Sequence, residues 1–88
     1  MSYRIELSEK CAKVLDKMLT KDKHNFGILI THIKNLEQNP EYFGKPLTGN
    51  MAGLWSYRVG NFRIIYQIQN KEKVVFIITI GHRREVYE

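Results

Sequence analysis

Cysteine is nearly absent: Cys11 stands alone among 88 residues, so the chain can form no internal disulfide and no cysteine-based metal site. No stretch approaches the roughly 18 uninterrupted apolar residues that a membrane-spanning helix needs, and the run from Val74 to Ile80 is far too short. The opening Met-Ser-Tyr-Arg-Ile-Glu has no apolar core of the kind a secretory signal requires. Together these gaps lead us to expect a cytoplasmic protein with no membrane partner. Internal repeats, low-complexity tracts and linkers are missing too. Acidic residues are scarce, nine Asp and Glu against fourteen Lys and Arg, for a net charge of +5.

What is present suits one small folded domain over residues 1–88. A 43% apolar share with 11% aromatics argues against disorder, and the length allows a single two-layer core. The positive charge is uneven. Residues 1–44 carry seven Lys/Arg against six Asp/Glu, a net +1, whereas residues 45–88 carry seven against three, a net +4. Four of the five arginines, Arg58, Arg63, Arg83 and Arg84, fall in the second half. The planar guanidinium fork matches phosphate geometry, so this bias points to a polyanionic partner. A solvated basic face accounts for the charge equally well.

Tyr3 to Leu7 alternates around Arg4 and Glu6 and reads as a first strand. Ser8 is placed to cap a helix whose apolar stripe is Cys11, Val14, Leu15, Met18 and Leu19. A polar break from Thr20 to His24 leads to a second helix with the stripe Phe26, Leu29, Ile30, Ile33 and Leu36, ended by Pro40. From Leu54 the period becomes two. Leu54–Val59, Phe62–Gln69 and Val74–Ile80 are strands rich in aromatic and β-branched residues, joined by the two-residue turn Gly60-Asn61 and a three-residue link, Asn70-Lys71-Glu72. The expected fold is α+β: an antiparallel helix pair on one face of a mostly antiparallel four-stranded sheet.

A Gly60-Asn61 turn dictates the pairing outward from it. Val59 meets Phe62, Arg58 meets Arg63, Tyr57 meets Ile64, Ser56 meets Ile65 and Trp55 meets Tyr66. Trp55, Tyr57, Val59, Phe62, Ile64, Tyr66 and Ile68 then share the apolar face where helices dock. Ser56, Arg58, Arg63 and Gln67 share the other. Two arginines directly opposite repel by roughly a few tenths to 1 kcal/mol, which an anion between them would convert to attraction. Neighbouring carboxylates, or side chains splayed into water, would relieve it too. With the three-residue link, Thr79 is expected opposite Arg63, and Val75, Ile77, Thr79, Gly81 and Arg83 on the arginine face. Arg83 then lies about 13 Å beyond Thr79 unless the tail bends at Gly81. His82 and Arg84 fall on the opposite side, where a packing or surface role suits His82.

The segment Lys45-Pro-Leu-Thr-Gly-Asn-Met-Ala-Gly-Leu-Trp-Ser-Tyr-Arg-Val-Gly-Asn-Phe-Arg-Ile-Ile-Tyr-Gln resembles the central signature of the RelE/ParE toxin superfamily. The ending Ile80-Gly-His-Arg-Arg-Glu-Val-Tyr87 resembles its C-terminal motif. With the preceding strand and helix pair, the likeness covers nearly the whole chain. It implies the RelE-like microbial ribonuclease fold and the toxin of a type II toxin–antitoxin system. The implied activity is an endonuclease that cleaves mRNA in the ribosomal A site without metal or cofactor, by 2′-hydroxyl attack. Carried over onto this chain, the resemblance assigns Arg63 to the charge on the phosphorane. Arg83 becomes a second phosphate-side arginine and candidate proton donor, and Tyr87 the terminal tyrosine that orients the base. Arg58 falls where the family has a basic residue in the central strand. Implied partners are the ribosome, mRNA and a cognate antitoxin, with operator DNA reached only through the antitoxin complex.

The sequence also departs from the pattern. One branch has a lysine where this chain has Ser56, and a sister branch has a carboxylate where it has Lys45. Both positions, with Arg84 and His82, remain candidate RNA or phosphate contacts, but the strong general base is missing. Tyrosine, with an ordinary pKa near 10, is a poor substitute, and imidazole is a tempting one. The ParE branch, which poisons DNA gyrase and is no nuclease, is the competing expectation. An inactive member that serves only as a binding partner is the other.

Overall fold

The computed structural model describes residues 2–82. Arg83, Arg84 and Tyr87, assigned above to the site, lie outside the described residues. Strand β1 (Arg4–Leu7) is followed by helices α1 (Glu9–Lys21), α2 (Lys23–Gln38) and the single turn α3 (Pro40–Phe43). Then come the short strand β2 (Lys45–Pro46), a 3-10 turn (Gly49–Met51), and strands β3 (Trp55–Val59), β4 (Phe62–Gln69) and β5 (Val74–His82). The sheet has five strands in the order β1-β5-β4-β3-β2. β1 runs parallel to β5, and the other neighbours are antiparallel. Among the described residues no helix is long and apolar enough to cross a membrane.

Local chemistry explains the helix ends. The Ser8 hydroxyl accepts from the Cys11 N–H at 3.1 Å, satisfying an otherwise orphaned donor of the first turn. The two helices are separated by one residue. Asp22 donates its backbone N–H to the Met18 carbonyl at 2.8 Å, closing α1, while its carboxylate accepts from the Asn25 N–H at 3.3 Å, opening α2. The polar break read from Thr20 to His24 is therefore mostly helical, because one aspartate does the capping for both ends. Pro40 stops α2 as expected and, suited to a first helical position, begins α3. Tyr3 is not in the first strand: its N–H bonds to the Glu37 carbonyl at 2.7 Å, tying it to α2 instead.

Both helices cover one face of the sheet. Cys11, Leu15, Leu29, Ile33 and Leu36 from the helices meet Tyr57, Val59, Ile64, Tyr66, Val75, Ile77 and Ile80 from the strands. Cys11 is wholly buried, a small filler as expected. All five predicted pairs between β3 and β4 are observed, Arg58 opposite Arg63 among them. Gly60 supplies the positive φ of 60° that the turn demands.

Four expectations about the sheet are corrected. The sheet gains a fifth strand, because Lys45 and Pro46 pair with Ser56 and Trp55. A two-residue strand containing proline leaves no periodic trace. The link between β4 and β5 spans four residues, with Lys73 at φ 57°, so Gln69 faces Val74. That offset puts Val75 and Ile77 on the helix side, where both are buried. A bulge then intervenes: Tyr66 faces Ile77, but Ile65 faces Thr79, leaving Ile78 as the extra residue. Beyond it Arg63 faces Gly81, not Thr79. Thr79 and Gly81 thus recover the arginine face by two compensating offsets.

Candidate active site

The face turned away from the helices is built in rows across the strands. One row reads Lys45, Ser56, Ile65, Thr79, and the next, nearer the hairpin turn, reads Arg58, Arg63, Gly81. Paired residues project to the same side, so β2 brings Lys45 onto the surface that carries Ser56, Arg58 and Arg63. No carboxylate stands in either row. Ser56 and Ile65 are buried, 6% and 1% exposed, so a dry floor lies beside the guanidinium groups and strengthens their field over what water would allow.

Among the described residues the two opposed arginines bond to different acceptors. Arg63 Nη1 donates to the Ser56 hydroxyl at 3.0 Å, which draws it away from the turn. Arg58 is exposed, and its Nε approaches the Gly60 carbonyl at 3.5 Å, which draws it toward the turn. The like charges are therefore drawn in opposite directions along the hairpin. Gly81 stands opposite Arg63 and adds no side chain over it. Lys45 is exposed at the edge.

Tyr66 holds that edge in place from the other face. Its hydroxyl donates to the Pro40 carbonyl, and it packs so close to Gly44 that a Cβ there would collide with the hydroxyl and lie 2.8 Å from Cζ. Gly44 therefore lets α3 and the start of β2 settle against the sheet, and Lys45 follows directly. Burial pushes the Tyr66 phenol well above its ordinary value, with nearby Tyr57 adding to the effect.

The structure thus gathers four of the proposed site residues, Lys45, Ser56, Arg58 and Arg63, on one face. It separates a fifth. His82 pairs with Phe62 and stacks on its ring, centroids 4.8 Å apart, on the side of the helices. His82 is exposed there, in the packing or surface position that alternation along β5 led us to expect, and away from Arg63. Arg83, Arg84 and Tyr87 lie outside the described residues. Thr79 and Gly81 lie on the arginine face, as the sequence led us to expect, but with shifted partners: the bulge sets Thr79 opposite Ile65 and Gly81 opposite Arg63. Among the described residues no group of three or more His, Cys, Asp or Glu is placed to hold a metal ion.

Comparison with known proteins fits this arrangement. Toxin RelG of Mycobacterium tuberculosis is 36% identical over 53 residues, covering 60% of this chain and 61% of RelG. The matched segment thus spans about three fifths of that relative. The crystal structure of the toxin–antitoxin complex RelBE2 from Mycobacterium tuberculosis contains a chain that superposes with a TM-score of 0.83 at 25% identity, covering 94% of this chain and 100% of that one. The free state of an E. coli toxin RelE mutant gives a TM-score of 0.72 at 25% identity, covering 99% and 92%. The family model described as "ParE toxin of type II toxin-antitoxin system, parDE" matches residues 5–87. The chain therefore belongs to that toxin family, within the RelE/ParE superfamily.

Proposed function

We propose that this toxin is a ribosome-dependent endonuclease that cleaves mRNA in the A site, with Arg63 supplying positive charge at the scissile phosphate. The observation that carries this reading is the helix-free face on which Arg63, anchored at 3.0 Å by Ser56, stands opposite Arg58 and one row from Lys45. In the reaction the 2′-hydroxyl attacks the adjacent phosphorus, the P–O5′ bond breaks, and a 2′,3′-cyclic phosphate and a 5′-hydroxyl result. Negative charge grows on the non-bridging oxygens, where a fixed guanidinium is worth several kcal/mol. The proton lost from the 2′-oxygen goes to an acceptor, and one is delivered to the 5′-oxygen. Arg83 is the proposed donor, and Tyr87 the proposed platform for the base. The need for a 2′-hydroxyl confines the chemistry to RNA. Arg58, Lys45 and Arg84 serve as backbone contacts and Ser56 as a polar wall of the phosphate site. No side chain in the two described rows is a strong base at neutral pH, so orientation by the ribosome carries much of the rate.

A cognate antitoxin is the proposed partner, contacting operator DNA itself. The likeness to the RelBE2 complex supports this, and so does a cationic surface suited to an acidic, amphipathic segment. A second reading is favoured by one observation: the family model is that of the ParE toxin, the branch that poisons gyrase. Mapping mRNA ends after expression separates the two. The nuclease reading expects cuts within reading frames that fall by about a hundredfold or more with Arg63→Ala or Arg83→Ala. DNA damage without such cuts would establish the gyrase reading instead. Equal harmlessness of wild type and mutants would leave only a binding role.

A further inference from the structure

We infer that Ser56 is a positioning residue, whose hydroxyl fixes the Arg63 guanidinium before substrate arrives; this rests on the nuclease reading above. Ser56 is a polar side chain at a core-like position, 6% exposed, and its backbone is locked between Lys45 and Ile65 in the sheet. Its Cα is therefore fixed by strands on both sides, which leaves the oxygen a single torsion of freedom. Arg63 Nη1 donates to it at 3.0 Å, a bond from a charged donor, the stronger kind.

Two physical needs meet here. Arg63 faces Arg58 across the hairpin, so an untethered guanidinium would swing away from its like-charged neighbour, and with four rotatable bonds it has ample freedom to do so. The acceptor must also leave the charge intact. A carboxylate at position 56 would form an ion pair and neutralise the group that the phosphorane needs. A lysine would push it off. A hydroxyl orients the guanidinium and, being neutral itself, takes none of its charge. Preorganised charge of this kind acts on the transition state without reorganisation during the reaction.

The test compares wild type with Ser56→Ala and Ser56→Thr in the full chain. Nitrogen NMR of the Arg63 side chain reads rotation about its Nε–Cζ bond. Restricted rotation is expected in wild type and Ser56→Thr, and measurably faster rotation in Ser56→Ala. Cleavage of translated mRNA should lose on the order of ten- to a hundredfold in kcat with Ser56→Ala, at little change in KM, with recovery to within a few-fold in Ser56→Thr. Thermal unfolding identifies any variant whose loss is one of folding. Unchanged Arg63 rotation in Ser56→Ala overturns the assignment, as does a folded Ser56→Thr that behaves like Ser56→Ala. If wild type cleaves no RNA, the nuclease reading fails, while the rotation measurement still decides whether Ser56 holds Arg63.

Discussion

Single side chains decide how the edge of the site is built. Gly44 is a glycine because the Tyr66 ring occupies the space a Cβ would need. Gly44→Ala should destabilise the fold by about 1–3 kcal/mol, as overpacking does, read as a lower urea midpoint. Adding Tyr66→Phe should recover part of the loss, since it removes the atom that collides; strictly additive effects would contradict this contact. The same burial shapes the pH dependence. It raises the Cys11 thiol above its ordinary value of 9.0, with the Ser8 hydrogen bond opposing, and it raises the Tyr66 phenol above 10.0. The unfolded chain releases these protons first, so above pH about 9 the native state holds more of them and stability falls as pH rises. Below that, both groups are neutral in both states and their contribution is fully present. Urea midpoints taken from neutral to strongly alkaline pH should show this decline, with Tyr66→Phe flattening its upper part. A rising midpoint would contradict it. At this scale the sequence exposed Arg63 and Arg58, because a two-residue turn leaves their pairing no freedom. It did not expose the Ser56 hydroxyl as the acceptor, since side-chain torsions leave no mark in residue spacing.

Elements of secondary structure are tied together by residues that serve two of them. Ser8 caps α1 through its oxygen lone pair and donates its hydroxyl proton to the Ile78 carbonyl at 2.7 Å, while its N–H bonds to the Ile77 carbonyl at 2.9 Å. Helix start and β5 bulge thus share one side chain. Ser8→Ala should therefore cost more than a simple cap, about 2 kcal/mol or above against a typical ~1, measured by denaturant unfolding. Ser8→Gly should not restore it, because glycine replaces a cap but not the proton donated to the bulge. The helices were legible from their stripes and from Ser8 and Pro40, and β3 and β4 from the turn. β5 was legible as a strand but not in register. Lys73 adopts a left-handed conformation that lengthens the link, and the bulge shows only once the strand's apolar and polar residues are set against the two faces of the sheet. β2 escaped notice for a third reason: two residues, one of them proline, are a strand only because Trp55 and Ser56 lie beside them.

For the whole molecule, charge separates from mass. The helices cover one side of the sheet, and the opposite side carries cations from β2, β3 and β4. Arg58, exposed near the turn, should act chiefly on encounter. On the proposed nuclease function, Arg58→Ala is expected to weaken ribosome association with a shallower dependence on salt, whereas Arg63→Ala should reduce the cleavage step at any ionic strength. Association measured across a salt series checks this, and identical slopes for wild type and Arg58→Ala would refute it.

The irregularity in β5 decides which side chains of that strand meet the helices. Were the ladder continued unbroken from the Gln69–Val74 pair, Ile80 would stand opposite Arg63, and Thr79 would be pressed opposite Ile64 beneath the helices. Such an exchange strands an isoleucine in water and an alcohol in hydrocarbon, at a combined cost of roughly 2–5 kcal/mol. That penalty, rather than any turn signal, keeps the last described stretch right side out.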